Sequence, residues 1–236
     1  MARIKFERND FFLLGETSLK CKMPGKLRKM REKTALQSVW KRSRMGGVMT
    51  DAKKELLNIL LAKSIKTGHF ILASGKESDL YCDCRVTALD ARGANLIGQV
   101  GWELVQEEIL PKFPGVTSIG GMTMGADPIS LAIGMYSVEG EEPLKVFTVR
   151  KEAKDHGRGK RIEGNFEAGQ EVIVVDDVIT TGGSTLKAID AIEAEGGKVV
   201  AALVLVDRQE GGREAIESRG IPVFPMFTRA TIFGDK

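Results

Sequence analysis

Cysteine and histidine are scarce in this chain, with three of the first and two of the second in 236 residues. Cys21, Cys82 and Cys84 have neither the number nor the spacing of a zinc site or a disulfide framework. Cys82 and Cys84 read as ordinary half-buried thiols on one face of a strand, in a reducing, cytoplasmic setting. His69 and His156 leave histidine-based metal chemistry almost no material. No window of 18 apolar residues occurs, so a membrane-spanning helix is not expected. The short apolar patch at 11–14 lies among charges, which argues against a secretory signal. No repeat with a period of 20–50 residues is visible.

What is present is apolar material, 42% of residues, sufficient for one α/β core, alone or with an appendage. The formal charge of +3 conceals an asymmetry. Residues 1–48 hold 13 Lys and Arg against 4 Asp and Glu, and the remaining 188 hold 22 against 28. The basic character therefore belongs to the N-terminal segment and marks no nucleic-acid-binding core. That segment reads as a flexible extension ahead of Met49; the competing reading is an arm that binds RNA or an anionic surface.

From Thr50 the pattern becomes regular. Thr50-Asp51 predicts a helix N-cap, with Leu56, Leu57, Leu60, Leu61 and Ile65 on one apolar face and Gly68 ending the helix. Residues 69–73 and 80–86 read as a hairpin around Ser74-Gly75-Lys76. A helix is expected from Asp90 to about Glu108. Strands at 116–119, 144–149, 172–175 and 199–206 then alternate with helices near 128–136 and 184–195. Such alternation predicts a mostly parallel α/β sheet flanked by helices, with ligands beyond the carboxyl ends of its strands.

The most informative stretch is Val-Ile-Val-Val-Asp-Asp-Val-Ile-Thr-Thr-Gly-Gly-Ser-Thr at 172–185. Four β-formers without polar alternation predict a strand buried on both faces. Asp176 and Asp177 follow, then a turn with Gly182 and Gly183, then a helix opening at Ser184. Backbone N–H groups at such a helix start, with hydroxyls from Thr180, Thr181, Ser184 and Thr185, form a monophosphate cradle. The paired aspartates suit ribose hydroxyls, or a magnesium ion carried in by substrate. The stretch is neither a Walker A loop nor a dinucleotide fingerprint. Two further stretches fall on the same edge. The Gly-rich turn at 120–128, with Thr123, Met124 and Gly125, can offer amides to a second phosphate group. The loop at 150–164 has six Lys or Arg, three acids and three glycines and no face to bury, so we expect a mobile lid that brings cations to a diphosphate. Arg208 also lies on this edge; taken alone, an ion pair with Asp207 or Glu210 accounts for it.

Together, Arg-Lys-Glu-Ala-Lys-Asp-His-Gly at 150–157, Asp-Asp-Val-Ile-Thr-Thr-Gly-Gly-Ser at 176–184 and Val-Asp-Arg-Gln-Glu-Gly-Gly-Arg at 206–213 resemble the orotate phosphoribosyltransferases. The resemblance runs from about Met49 to the end and implies a type I phosphoribosyltransferase fold: a small hood at about 49–90, a core at about 91–236 and a mobile catalytic loop. It implies that Arg150, Lys151, Lys154 and His156 contact the pyrophosphate of phosphoribosyl pyrophosphate, the loop acting on the partner's site in a homodimer. Asp176, Asp177, Val178, Ile179, Thr180, Thr181, Gly182, Gly183 and Ser184 would hold the ribose 5-phosphate unit, with Lys154, Asp176 and Asp177 closest to the chemistry. Thr180 and Arg208 would hold orotate. Mg2+ would enter mainly with the substrate, with Asp176 and Asp177 as protein contacts. Orotate would displace pyrophosphate from the anomeric carbon in pyrimidine (UMP) biosynthesis, and because it arrives anionic, no strong general base is required. Some members carry lysines where this chain has Ala73 and Gly125; the resemblance places it in a variant with Ala-Ser-Gly-Lys and Thr-Met-Gly-Ala-Asp-Pro. A transferase for another base, and a non-catalytic sensor of phosphoribosyl pyrophosphate, are the rival expectations. Neither membrane nor nucleic-acid partners are expected.

Overall fold

The computed structural model describes residues 49–71, 77–152 and 161–234. Helix α1 (Asp51–Lys63) begins at the expected N-cap, where the Thr50 hydroxyl accepts a 3.2 Å bond from the Lys53 N–H. Leu56 and Leu60 are buried, whereas Leu61 lies on the exposed side. The helix ends at Lys63 with Ser64 as its cap, so Gly68 does not end it. Ile65 instead opens strand β1 (Ile65–Ile71) and pairs with Cys82 of β2 (Glu77–Cys82). Gly68 falls within an irregularity of this antiparallel pair, between Thr67 and Phe70. Val86, expected in the second strand, lies in the short α2 (Arg85–Ala88) and is exposed. Asp90 caps α3 (Ala91–Leu104) by accepting from the N–H groups of Arg92 and Gly93, and a single π turn, Val105–Ile109, continues it. Residues 1–48, Ala73 and the turn at 74–76 lie outside the described residues.

The core follows as β3 (Val116–Met122), α4 (Ala126–Ser137), β4 (Lys145–Val149), β5 (Ile162–Gly164), β6 (Glu171–Ile179), α5 (Gly183–Ala194), β7 (Lys198–Asp207), α6 (Gly212–Glu217), β8 (Val223–Thr228) and α7 (Arg229–Phe233). Its sheet has the order β5-β4-β3-β6-β7-β8. The pairings are parallel except β4 with β5. From β3 the chain steps outward to β4 and β5; from β6 it steps the other way to β7 and β8. The order therefore switches direction between β3 and β6, and a crevice opens beyond their carboxyl ends.

The run at 172–175 is buried on both faces, as its composition predicted. Ile173 and Val175 pack with Ile97, Ile133 and Leu203 on one side of the sheet. Val172 and Val174 pack with Ile189, Ile192 and Val204 on the other. Each fully buried aliphatic side chain stabilises by roughly 1.5–3 kcal/mol, so the two apolar layers hold β6 rigidly beneath the crevice.

Candidate active site

Strand β6 runs past the four valine and isoleucine residues and takes in both acids, Val178 pairing with Val206 and Ile179 with Asp207. A strand sends successive side chains to opposite faces, so the two aspartates part company. Asp176 is buried at 5% exposure. Its Oδ2 accepts from Ser184 Oγ at 2.7 Å and Thr185 Oγ1 at 2.6 Å, and its Oδ1 accepts from the Asp177 N–H at 3.0 Å. This carboxylate thus ties the strand end to the first turn of α5. Between them Gly182 adopts φ +77°, where a side chain is strained, and a Cβ there would stand 2.9 Å from the Gly212 carbonyl oxygen. The loop from Thr180 to Gly182 is thereby braced by the start of α6. The first-turn N–H groups of α5 lack helical partners and carry the positive end of its dipole toward the crevice, with Thr181, Gly183 and Ser184 exposed around them.

Asp177 faces the turn that leaves β3. Burial, and then the charge of Asp176, push its carboxyl up to about 6, partly offset by the bond it accepts from the Val178 N–H at 2.9 Å. A Cβ on Gly125 would lie 2.6 Å from Asp177 Oδ1, so the glycine keeps the space before this carboxylate open. The Gly-rich turn is shorter than expected. Gly120 and Gly121 belong to β3, where a Cβ on Gly121 would stand 2.0 Å from the Val175 carbonyl oxygen. The turn proper is Thr123 to Gly125, facing the α5 cradle across the switch point. Asp127, one residue into α4, accepts from Thr123 Oγ1 at 2.7 Å and from Thr148 Oγ1 near the end of β4.

Arg150 and Lys151 follow β4 on the same edge. Arg161 holds them by their backbone: its guanidinium donates to the Arg150 carbonyl at 3.2 Å and the Lys151 carbonyl at 3.1 Å. Glu195 accepts in turn from the N–H groups of Arg161 and Ile162 at 2.7 and 3.2 Å. Lys154 and His156 lie outside the described residues.

Arg208 follows β7, its N–H bonded to the Ile179 carbonyl at 3.1 Å. Its side chain is 5% exposed and pairs at 2.6 Å with Glu210, a partner that the bare sequence offered, the guanidinium buried and the carboxylate at the surface. A cavity of about 560 Å³ lies between the β1–β2 hairpin and α7, reached by the next residue, Gln209. Asp79, Leu80, Gln209, Arg229 and Phe233 are among the residues that line it. Arg229 bonds Asp79 at 2.6 Å across this space, and the Ala230 N–H donates to Gln209 Oε1 at 2.8 Å.

The structure thus gathers Asp177, the turn at 123–125, the α5 cradle and Arg208 at the strand ends beside the switch point, with Asp176 as the buried anchor beneath the cradle. Asp127, Thr148, Arg161 and Glu195 were not foreseen. Each acts at least in part through a partner ten or more residues away, which the local pattern does not mark. Among the described residues no three His, Cys, Asp or Glu side chains converge as a metal cage. The donor set fits an ion that arrives with its own phosphate ligands: one outward carboxylate, Asp177, with open space before it.

A family model described as a phosphoribosyl transferase domain matches residues 130–222. An orotate phosphoribosyltransferase from Aquifex aeolicus is 41% identical over 178 residues, 74% of this chain and 94% of that protein. The crystal structure of Mycobacterium tuberculosis H37Rv orotate phosphoribosyltransferase with Fe(III) dicitrate is 37% identical, covers 77% of this chain and 99% of its own, and superposes with a TM-score of 0.66. The same enzyme in complex with 5-phospho-α-D-ribosyl 1-diphosphate gives 34% identity, 77% and 98% coverage and a TM-score of 0.63.

Proposed function

The chain belongs to the orotate phosphoribosyltransferase family, and from that premise we propose how its residues divide the family's reaction. The protein is a pentosyltransferase of pyrimidine biosynthesis with the type I phosphoribosyltransferase fold. It transfers the 5-phosphoribosyl group of phosphoribosyl pyrophosphate to orotate, giving orotidine 5'-monophosphate and pyrophosphate. The observation that carries the assignment of roles is the meeting of the α5 cradle and the 123–125 turn across the switch point. One holds the 5-phosphate and the other the pyrophosphate, so the substrate lies over Asp177 between them.

In this reading the N–H groups from Thr180 to Ser184 and the hydroxyls of Thr180 and Thr181 bind the 5-phosphate, the Ser184 hydroxyl being held by Asp176, with Val178 and Ile179 forming the strand end beneath the sugar. Asp177 accepts from the ribose hydroxyls; Asp176 holds the cradle in register from below. The backbone N–H groups of Met124 and Gly125, in a turn that Thr123 anchors, and the side chains of Arg150, Lys151, Lys154 and His156 bind the pyrophosphate. Thr180 and Arg208 orient orotate, and Arg208 must exchange part of its pairing with Glu210 for the base's carboxylate. The bond from the ring nitrogen to the anomeric carbon forms as the carbon–oxygen bond breaks; the electron pair leaves with pyrophosphate, and the proton of the ring nitrogen passes to a pyrophosphate oxygen or to solvent water. The cationic side chains stabilise that charge as it gathers, which is where catalysis is expected to lie. Mg2+ would be held by the substrate with Asp177, and Asp176 behind it, and would supply further positive charge to the leaving group.

A homodimer completes the reading, with residues 150–164 acting on the partner's site. Leu131 and Met135 on α4 and Val138 at its C-cap support it: they make one apolar row and are 56%, 68% and 66% exposed. The catalytic unit is residues 49–236, and a chain beginning at Met49 should keep its turnover. The protein acts in the cytoplasm, and no helix among the described residues is long and apolar enough to cross a membrane. The test is loss of orotate absorbance with phosphoribosyl pyrophosphate and Mg2+, beside adenine, hypoxanthine and uracil. Reaction with orotate alone is expected; reaction with another base and none with orotate would overturn the assignment.

A further inference from the structure

We infer that Asp127 is a positioning residue for pyrophosphate, pinning the turn that leaves β3 to the end of β4. The inference rests on the reading of residues 123–125 as the pyrophosphate turn. The Asp127 carboxylate takes one hydroxyl with each oxygen: Thr123 Oγ1 donates to Oδ2 at 2.7 Å and Thr148 Oγ1 to Oδ1. Beside it the Thr123 N–H donates to the Val149 carbonyl at 2.8 Å. Two bonds therefore cross to the end of β4 immediately before Arg150, from Thr148 to Asp127 and from the Thr123 N–H to Val149, and the Thr123–Asp127 bond ties them together within the turn. The carboxylate stands in the first turn of α4, where the helix dipole favours negative charge.

The pin also sets polarity. An ionised carboxylate only accepts, so both threonine hydroxyls spend their protons on it and turn oxygen lone pairs elsewhere. Neither hydroxyl is then available to donate to a phosphate oxygen. The donors that the turn can offer are the backbone N–H groups of Met124 and Gly125, whose direction depends on where Asp127 holds Thr123. A carboxylate near a diphosphate would otherwise repel it; the two hydroxyls bind up that charge while the carboxylate holds the turn.

The experiment measures phosphoribosyl pyrophosphate binding by calorimetry with Mg2+, and KM values in both directions of the orotate reaction. A misplacement on the order of 1 Å costs about 10²-fold, so Asp127→Ala should weaken phosphoribosyl pyrophosphate and pyrophosphate by about 10- to 100-fold. The KM for orotate should stay within about twofold, because the turn faces the other substrate. Asp127→Asn keeps one acceptor, and its amide can donate to the other threonine oxygen, so it should restore most of the affinity. Thr148→Val, nearly isosteric, removes one arm, and adding it to Asp127→Ala should cost little more. Unchanged binding in Asp127→Ala with activity reduced only in proportion to folded protein would overturn the inference. So would an Asn variant as weak as the Ala variant, or a double variant whose losses multiply. Calorimetry reads the pin whichever base the enzyme accepts, so a wrong base and a wrong pin give different results.

Discussion

Gly125 and Asp177, 52 residues apart in sequence, meet so closely that a methyl group on the first would stand 2.6 Å from Oδ1 of the second. In the proposed reading, the space left by the missing side chain is where the pyrophosphate and ribose ends of one substrate come together. Gly125→Ala should displace the Asp177 carboxylate by a few tenths of an ångström and raise the KM for phosphoribosyl pyrophosphate by about three- to tenfold. The KM for orotate and the melting temperature should change little. Unaltered phosphoribosyl pyrophosphate kinetics in a folded Ala variant would show that the opening serves packing only.

The carboxyl of Asp177, raised to about 6 chiefly by burial and then by Asp176, has opposite consequences for binding and for stability. Phosphoribosyl pyrophosphate affinity should fall as pH drops through about 6, because the protonated acid no longer accepts from two ribose hydroxyls. A cation at the site favours the charged form, so the fall should move to lower pH with Mg2+ present. For folding, the native state holds this proton more tightly than the unfolded chain. The contribution is present at low pH and lost as pH rises through about 6, and it amounts to roughly 3 kcal/mol. Asp177→Asn should therefore melt higher than wild type at pH 8 and nearly level with it at pH 4, while binding substrate poorly at both. An Asn variant that melts lower at pH 8 would contradict the burial argument.

The different fates of Asp176 and Asp177 mark the limit of what the residues alone disclose. The strand, the cradle helix and the parallel sheet were legible because apolar runs, glycines and hydroxyls carry local signals. The end of the strand was not. Placing it at Val175 left both acids on a loop, free to face the ligand together, whereas pairing of Val178 with Val206 continues the alternation and turns Asp176 under α5. Ile65 was misplaced for a related reason: its spacing suits the face of α1, but pairing with Cys82 outweighs propensity. Gly120 and Gly121 look like a turn and are strand residues, since the constraint on them is the backbone of the adjoining strands, from Phe147 on one side and Val175 on the other. Local chemistry was readable; partners supplied by strand register were not.

Thr185 shows what the buried acid does. It is 1% exposed and donates at 2.6 Å to Asp176 Oδ2. Thr185→Val keeps the volume and leaves a buried carboxylate short of one donor, at a cost of about 1–3 kcal/mol. Because the same oxygen anchors Ser184, the first turn of α5 should loosen and inorganic phosphate should bind more weakly, measured by calorimetry beside a melting curve. Full stability with weakened phosphate binding would instead place Thr185 in direct contact with the ligand.

The last expectation concerns Lys154, which lies outside the described residues and, by the proposed reading, serves the partner's site. Lys154→Ala should lower turnover by about 10²–10³ with orotate affinity almost unchanged, since its charge matters most as pyrophosphate leaves. Asp177→Asn should instead weaken phosphoribosyl pyrophosphate binding in its own subunit. Mixing the two inactive proteins separates donation in trans from donation in cis. In trans, a mixed dimer has one site that combines an intact Asp177 with a partner's intact Lys154. Random exchange makes about half the dimers mixed, each with one good site of two, so recovery should approach roughly a quarter of wild type if the sites are independent. In cis, every site in the mixed dimer lacks one of the two groups and no activity returns. Subunit exchange confirmed by native mass spectrometry, with no recovered turnover, would place Lys154 over the site of its own chain.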